Sequence, residues 1–248
     1  MGPVSSHRRI CALERFPARR RFVNSLGRRL AAVAELIPYG VHVDIGSDHA
    51  YLLRWLLRTE SIERGIAIEK TPPPYENSRR TLAGLNAEVR LADGFEGLVQ
   101  GEANSVSLCG MGGRLVTNLL EAYPERVPCC VIVAANDHTD SVRRWAIRSG
   151  YQLVDEAFVM DRHPYMMMRF DRYHDADAAS GCVDPAYAQI DQDVALHFGP
   201  LLIRKRDPEF VDYLHRDLRR LSELPKLTAE SAKRLEMLES LIDPNEQS

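Results

Sequence analysis

Val41-His42-Val43-Asp44-Ile45-Gly46-Ser47-Asp48-His49-Ala50-Tyr51-Leu52 is the stretch that decides the fold of this chain. A short apolar strand runs into a single glycine, then polar residues, then the start of a helix. Strand, tight turn and helix N-terminus together form a site for a nucleotide-like ligand. A dinucleotide fingerprint places a second glycine two residues after the first, so that backbone can approach a pyrophosphate. Here that position is Asp48, whose carboxylate repels a pyrophosphate. An acidic turn suits a ligand that lacks phosphate and carries a cation, as the sulfonium of S-adenosylmethionine does. The pattern points to a methyltransferase site, not a nicotinamide site.

Upstream, Phe22, Val23, Leu26, Leu30, Val33, Leu36 and Ile37 recur with helical spacing until Pro38-Tyr39-Gly40 stops them. Downstream, short apolar runs alternate with helical patterns. Gly65 to Ile68 ends at Glu69; Thr71-Pro72-Pro73-Pro74 then reads as a break before a helix from Tyr75 to Leu85. Val89 to Leu91 ends at Ala92-Asp93-Gly94, and Ser105 to Cys109 ends at Gly110-Met111-Gly112-Gly113. Cys129 to Val133 closes on Ala134-Ala135-Asn136, and Val154–Val159 with Tyr165–Phe170 predicts a terminal hairpin. This alternation predicts an α/β fold: a Rossmann-like parallel sheet with helices on both faces. Ligands of such sheets bind beyond the carboxyl ends of the strands.

The division expected is a flexible basic arm at 1–21, a cofactor-binding methyltransferase domain at 22–173, a linker at 174–197 and a helical hairpin at 198–248. The arm holds eight arginines through Arg29 if its boundary is relaxed, against the single acid Glu14. It is either a solvated tail or an RNA contact. In the tail of the chain, Phe210, Leu214, Leu218 and Leu221 form one apolar stripe. Pro225 interrupts it, Thr228 can cap a second helix, and Leu235, Leu238 and Leu241 or Ile242 mark a second stripe. The hairpin is read as an RNA clamp or as a dimerisation element.

Hydrophobic residues at 45% and charged residues at 27% are ordinary for a globular protein, and a net charge of -3 makes no general demand for nucleic acid. Five cysteines without metal-type spacing argue for a reducing cytoplasm and against a metal site. No apolar run approaches the roughly 20 residues of a membrane span, and the N-terminus lacks the apolar core of a signal peptide.

Each strand end has a chemical role in this reading. Gly46 lets the turn pass close to the methionine part of the cofactor, and Asp44 orders the turn and the cofactor's polar end. Glu69 accepts from ribose hydroxyls. Asp93 accepts from the adenine amino group while the neighbouring backbone of Ala92 and Gly94 fixes the ring. Gly110, Met111 and Gly112 give backbone access beside the sulfonium.

Asp44-Ile45-Gly46-Ser47-Asp48-His49-Ala50-Tyr51-Leu52, with Gly110-Met111-Gly112-Gly113 downstream, resembles the bacterial tRNA adenine-22 N1-methyltransferase family over residues 24 to 171, and more weakly in the tail from Phe198-Gly199-Pro200. The resemblance implies a class I methyltransferase core, S-adenosylmethionine as donor, tRNA as substrate and a C-terminal coiled-coil hairpin that engages the tRNA. Ser47 stands where the family usually has Thr, which keeps the hydroxyl and a cofactor-binding role. Glu69-Lys70-Thr71 replaces an Asp-Val-Asn-like sequence, which keeps the acid. Ala134-Ala135-Asn136 replaces Gln-Pro-Asn, a change that bears on target-base recognition more than on the cofactor. The expected catalytic set is Asp48, to counter charge on the methylated ring or take its proton; Asn136, to orient the amino group; Tyr51, to stack on the base; and His49, to contact phosphate or cofactor. The plainer alternative for Asp48 is an acid favoured by the helix dipole. Competing functions are methylation of another RNA or a small amine, and a non-catalytic cofactor- or RNA-binding homologue.

Overall fold

The computed structural model describes residues 26–173 and 184–242. The arginine arm, Phe22, Val23, Cys11 and Cys182 lie outside them. The opening stretch folds as its pattern predicts: Val41–Ile45 is β1 and Tyr51–Arg58 is α2, preceded by α1 at Arg28–Leu36. There follow β2 (Arg64–Glu69), α3 (Pro72–Leu82), β3 (Ala87–Leu91), β4 (Ser105–Cys109), α4 (Gly113–Ala122), β5 (Cys130–Ala134), α5 (Thr139–Arg148), β6 (Tyr151–Met160) and β7 (Pro164–Arg172). The prolines at 72–74 do not delay α3. They begin it, because the first helical turn needs no N–H donors and proline's fixed φ already suits it.

The strands form one sheet in the order β3-β2-β1-β4-β5-β7-β6. β1 to β5 are mutually parallel, and β7 enters antiparallel between β5 and β6. Central β1, β2, β4 and β5 are buried almost throughout, whereas the edge strand β3 is only partly covered. That explains why the central strands read as unbroken apolar runs. Alternate side chains go to opposite layers. Val43, Ile45, Val106 and Leu108 pack with α4 and α5 through Val116, Leu120, Val142 and Trp145. Ala67, Ile132 and Ala134 pack with α1, α2 and α3 through Val33, Leu53, Leu56 and Leu82. By the same alternation, His42 and Asp44 face the α1–α2 layer.

Residues 184–197, expected within a linker, are ordered. Asp184 accepts from the Leu153 and Ala186 amides, and Asp191 caps α6 (Gln192–Phe198), whose Ala195 and Leu196 enter the main core. α7 (Pro200–Lys205), α8 (Pro208–Ser222) and α9 (Ala229–Leu241) are the last helices among the described residues. Thr228 caps α9 as expected, accepting from the Ser231 amide at 3.1 Å. α8 and α9 fold back on each other, with Arg234 reaching Asp217 at 2.7 Å and the Tyr213 hydroxyl at 2.8 Å. Their apolar stripes close over Phe158 and Met166 of the β6–β7 hairpin.

A buried ion pair fastens these helices to the sheet. Arg143 on α5 and Glu156 on β6 have fully buried side chains and meet at 2.6 Å. Arg143 also donates to the Leu196 carbonyl, and Glu156 accepts from the Leu201 amide at 2.9 Å. Gly199 makes the approach possible: at φ +88°, an added Cβ would stand 2.7 to 2.8 Å from atoms of both charged groups.

Candidate active site

A cleft of about 300 Å³ opens at the carboxyl ends of β1 and β4. It gathers Asp44, Gly46, Ser47, Asp48, His49, Tyr51 and Gly110 from the residues read in the sequence, and adds Arg29, Leu30, Leu52 and Cys109. The turn after β1 is held by the Gly46 amide on the Ile68 carbonyl at 2.9 Å, and by the His49 amide on the Ser47 carbonyl at 2.7 Å. Gly46 has φ +73°, and Asp48 and Ala50 also take left-handed backbone at +61° and +51°. Such conformations in non-glycine residues concentrate at functional sites. Asp48 does not cap α2: the N-cap is Ala50, without a side-chain bond. Its carboxylate is 66% exposed and lies 3.4 Å from the His49 ring nitrogen. His49 in turn stacks on Tyr51 at 5.2 Å, and Arg54 stands over the Tyr51 ring at 5.0 Å. The three form an aromatic and cationic stack on the rim.

The deeper acids are held differently. Asp44 is buried and accepts from the Ser107 hydroxyl at 2.6 Å. Burial pushes its carboxyl up to about 7, with Ser107 working against that shift and the charge of Glu69 adding to it. Glu69 is also buried, and its Oε1 accepts from both Ser47 at 2.9 Å and Ser78 at 3.1 Å. Ser47 therefore links the β1 turn to the end of β2. At the end of β3, exposed Asp93 pairs with Lys70 at 2.6 Å, a partner the sequence reading did not assign. Gly94 turns there with φ +57°.

Asn136 lies beyond β5, outside the cleft wall but joined to it. Its Nδ2 donates to the Gly110 carbonyl at 2.7 Å, and its amide donates to the Met111 carbonyl at 2.9 Å. The preceding Ala134 and Ala135 are buried, so Asn136 is the exposed residue of that trio. Gly113, at the start of α4, could carry no side chain: a Cβ would stand 2.3 Å from the His138 carbonyl oxygen. The loops after β4 and β5 are thus in direct backbone contact. Two residues of the site escaped sequence reasoning. Arg29 was counted with the basic arm, but it lines the cleft and lies 5.1 Å from the Tyr165 ring centre. His42, within β1, contacts Ser105 and Ser107. Among the described residues no group of three or more His, Cys, Asp or Glu is arranged to hold a metal, and no helix is long and apolar enough to cross a membrane.

A seven-stranded sheet of this order, with glycines and acids at successive strand ends around one cleft, defines a class I methyltransferase fold. Comparison with known proteins narrows the class. The family profile for TrmK, tRNA (adenine(22)-N(1))-methyltransferase, matches residues 42–247. The tRNA (adenine(22)-N(1))-methyltransferase of Bacillus subtilis strain 168 is 30% identical, over 88% of this chain and 97% of the relative. The crystal structure of B. subtilis TrmK superposes with a TM-score of 0.72, covering 88% of this chain and 99% of that one at 30% identity. Streptococcus pneumoniae Sp1610 in complex with S-adenosyl-L-methionine shares the fold, with a TM-score of 0.75 at 23% identity and coverage of 88% and 100%. The chain belongs to the tRNA (adenine(22)-N(1))-methyltransferase family.

Proposed function

We propose that this chain transfers a methyl group from S-adenosylmethionine to N1 of adenine 22 in tRNA. The observation that carries this reading is the cleft itself, in which the acids Asp44 and Asp48 converge with the glycine turns of β1 and β4. Its donor set fits the cofactor. Gly46 and Gly110 present backbone without side chains, and no second glycine or basic cluster replaces Asp48 to receive a pyrophosphate. Asp44 faces the ammonium of the methionine part. Glu69, steadied by Ser47 and Ser78 through one oxygen, accepts ribose hydroxyls with the other. Asp93, with the backbone of Ala92 and Gly94, takes the adenine end, and Gly110 to Gly112 lie beside the sulfonium.

S-adenosylmethionine supplies an electrophilic methyl group. N1 of neutral adenine already carries an in-plane lone pair, so the protein's work is placement, which is worth up to about 7–11 kcal/mol in favourable intramolecular cases. The base must first leave its stack, at a few kcal/mol. The His49–Tyr51–Arg54 stack offers it a new surface at the rim. Asn136, whose Nδ2 is engaged by Gly110, accepts from the adenine amino group through Oδ1. Asp48 counters the positive charge that methylation puts on the ring.

The apolar stripes of α8 and α9 are covered within the chain, which favours a monomer over dimerisation through these helices and leaves their outer faces to tRNA. A cytoplasmic location suits this substrate. Labelled donor incubated with unmodified tRNA tests the proposal, followed by mapping of the methylated position. Label at N1 of adenine 22 is expected. Label on small amines but not on tRNA supports a changed acceptor, and binding of both partners without transfer supports a non-catalytic homologue.

A further inference from the structure

β1 and β4 are central strands, yet each carries polar residues at alternate positions. Their register sets His42 against Ser105 and Asp44 against Ser107. All four are buried, at 3% exposure or less. The proton arrangement follows once Asp44 is ionised. A carboxylate only accepts, and Ser107 Oγ lies 2.6 Å from Asp44 Oδ1 against 3.5 Å from the Val43 carbonyl, so the single Ser107 proton goes to Asp44. Toward His42 Nε2, at 3.0 Å, Ser107 must therefore accept, and Nε2 carries the ring proton. Nδ1 is then the bare nitrogen and accepts from the Ser105 hydroxyl at 2.8 Å. Burial lowers the imidazole's pKa to about 3, so the ring is neutral. Three hydrogen bonds thus run in one direction, from Ser105 through His42 and Ser107, and end on the carboxylate.

We propose that His42 is a positioning residue for the methyl donor: through Ser107 it holds Asp44 ionised and aimed into the cleft, where Asp44 receives the donor's ammonium group. This rests on the donor reading of the cleft given above. Aligned hydrogen bonds polarise one another, so a Ser107 that accepts from His42 is a stronger donor to Asp44. The other groups facing Asp44 are Glu69 on β2, Cys109 on β4, Arg29 from α1, and Asp48 and His49 in the turn. Glu69 opposes ionisation of Asp44 by like charge, so the relay counters both burial and Glu69. A raised carboxyl loses its charge as pH falls through about 7. Donor affinity then declines about tenfold per pH unit below that point, and above it holds until the donor's own ammonium loses its proton.

Calorimetric titration of the full chain with S-adenosylmethionine between pH 5.5 and 9, values that on the order of one unit or more bracket a shifted carboxyl, tests the inference. In His42→Leu the midpoint of the affinity profile is expected to move up by roughly half a pH unit or more. Ser107→Ala moves it further. His42→Gln, which keeps a donor and an acceptor on one side chain, restores it. A merely structural role for His42 would weaken binding equally at every pH and leave the midpoint in place, and that result overturns the inference. If His42→Leu does not fold, Ser105→Ala removes only the far donor, and an unchanged midpoint there and in Ser107→Ala overturns it equally. In a His49→Gln background the position of the midpoint must persist even if overall affinity changes, because loss of the midpoint would assign it to the neighbouring imidazole. If the unaltered protein takes up no donor at any pH, the donor reading itself fails; uptake with a shared midpoint defeats the relay alone.

Discussion

The buried floor and the exposed rim of this cleft, proposed above to take donor and acceptor, are built on opposite plans. Asp44 and Glu69 are buried, and serine hydroxyls from neighbouring elements fix each of them. Asp48, His49, Tyr51 and Asn136 stand at the rim; Tyr51 is 45% exposed, and the Asp48 carboxylate, 66% exposed, lies 3.4 Å from the His49 ring. A small donor of constant shape rewards a site whose groups are already aimed, because little ordering remains to be done on binding. A folded RNA must bring a turned-out base to an open edge, and that edge keeps its side chains in solvent until it arrives.

The sharpest way to break the contrast is at the seam between the halves. Gly113→Ala forces a Cβ against the His138 and Asp137 carbonyls, and is expected to cost about 3 kcal/mol or more of stability. Urea unfolding measures it, and donor binding and methyl transfer should fall together. Glu69→Ala should separate them. Loss of two charge-assisted hydrogen bonds at about 1.5–3 kcal/mol each predicts donor affinity down about 100-fold or more, with transfer at saturating donor largely kept. Asp48→Asn should do the reverse, slowing single-turnover transfer about tenfold while donor affinity stays within about twofold. Unchanged transfer and unchanged affinity would take Asp48 out of the chemistry. The smallest effect is expected for Tyr51→Ala, an increase of about fivefold in KM for tRNA from a weakened stacking surface, with Tyr51→Phe close to the unaltered protein.

Strand ends were legible because a buried parallel strand needs apolar residues on both faces, and the chain announces four of the five parallel exits with a glycine or an acid, as at Asp44-Ile45-Gly46 and Leu91-Ala92-Asp93-Gly94, the fifth closing on Asn136. The start of α3 was misread because three prolines in a row look like an end, although a helix tolerates them in its first turn. Residues 184–197 passed for a linker because their Asp, Ala and Pro content resembles one. What orders them is a few caps and two buried apolar side chains, Ala195 and Leu196, whose partners are far away in sequence. Arg29 was hidden among other arginines. His42 was hidden for a different reason, since its partners are 63 and 65 residues away. The alternation His42-Asp44 against Ser105-Ser107 was in the sequence, but only the strand register turns it into contacts.

The paired charges Arg143 and Glu156 also constrain how such a chain can be inherited. A gene copy ending ahead of α6 would still encode both ions, but not the Leu196 carbonyl or the Leu201 amide that complete them. Ions stripped of such partners in a dry interior are strongly destabilising. Gly199 would lose its reason to be glycine at the same stroke. A chain that sheds or exchanges the helical tail would therefore need matching changes in α5 and β6.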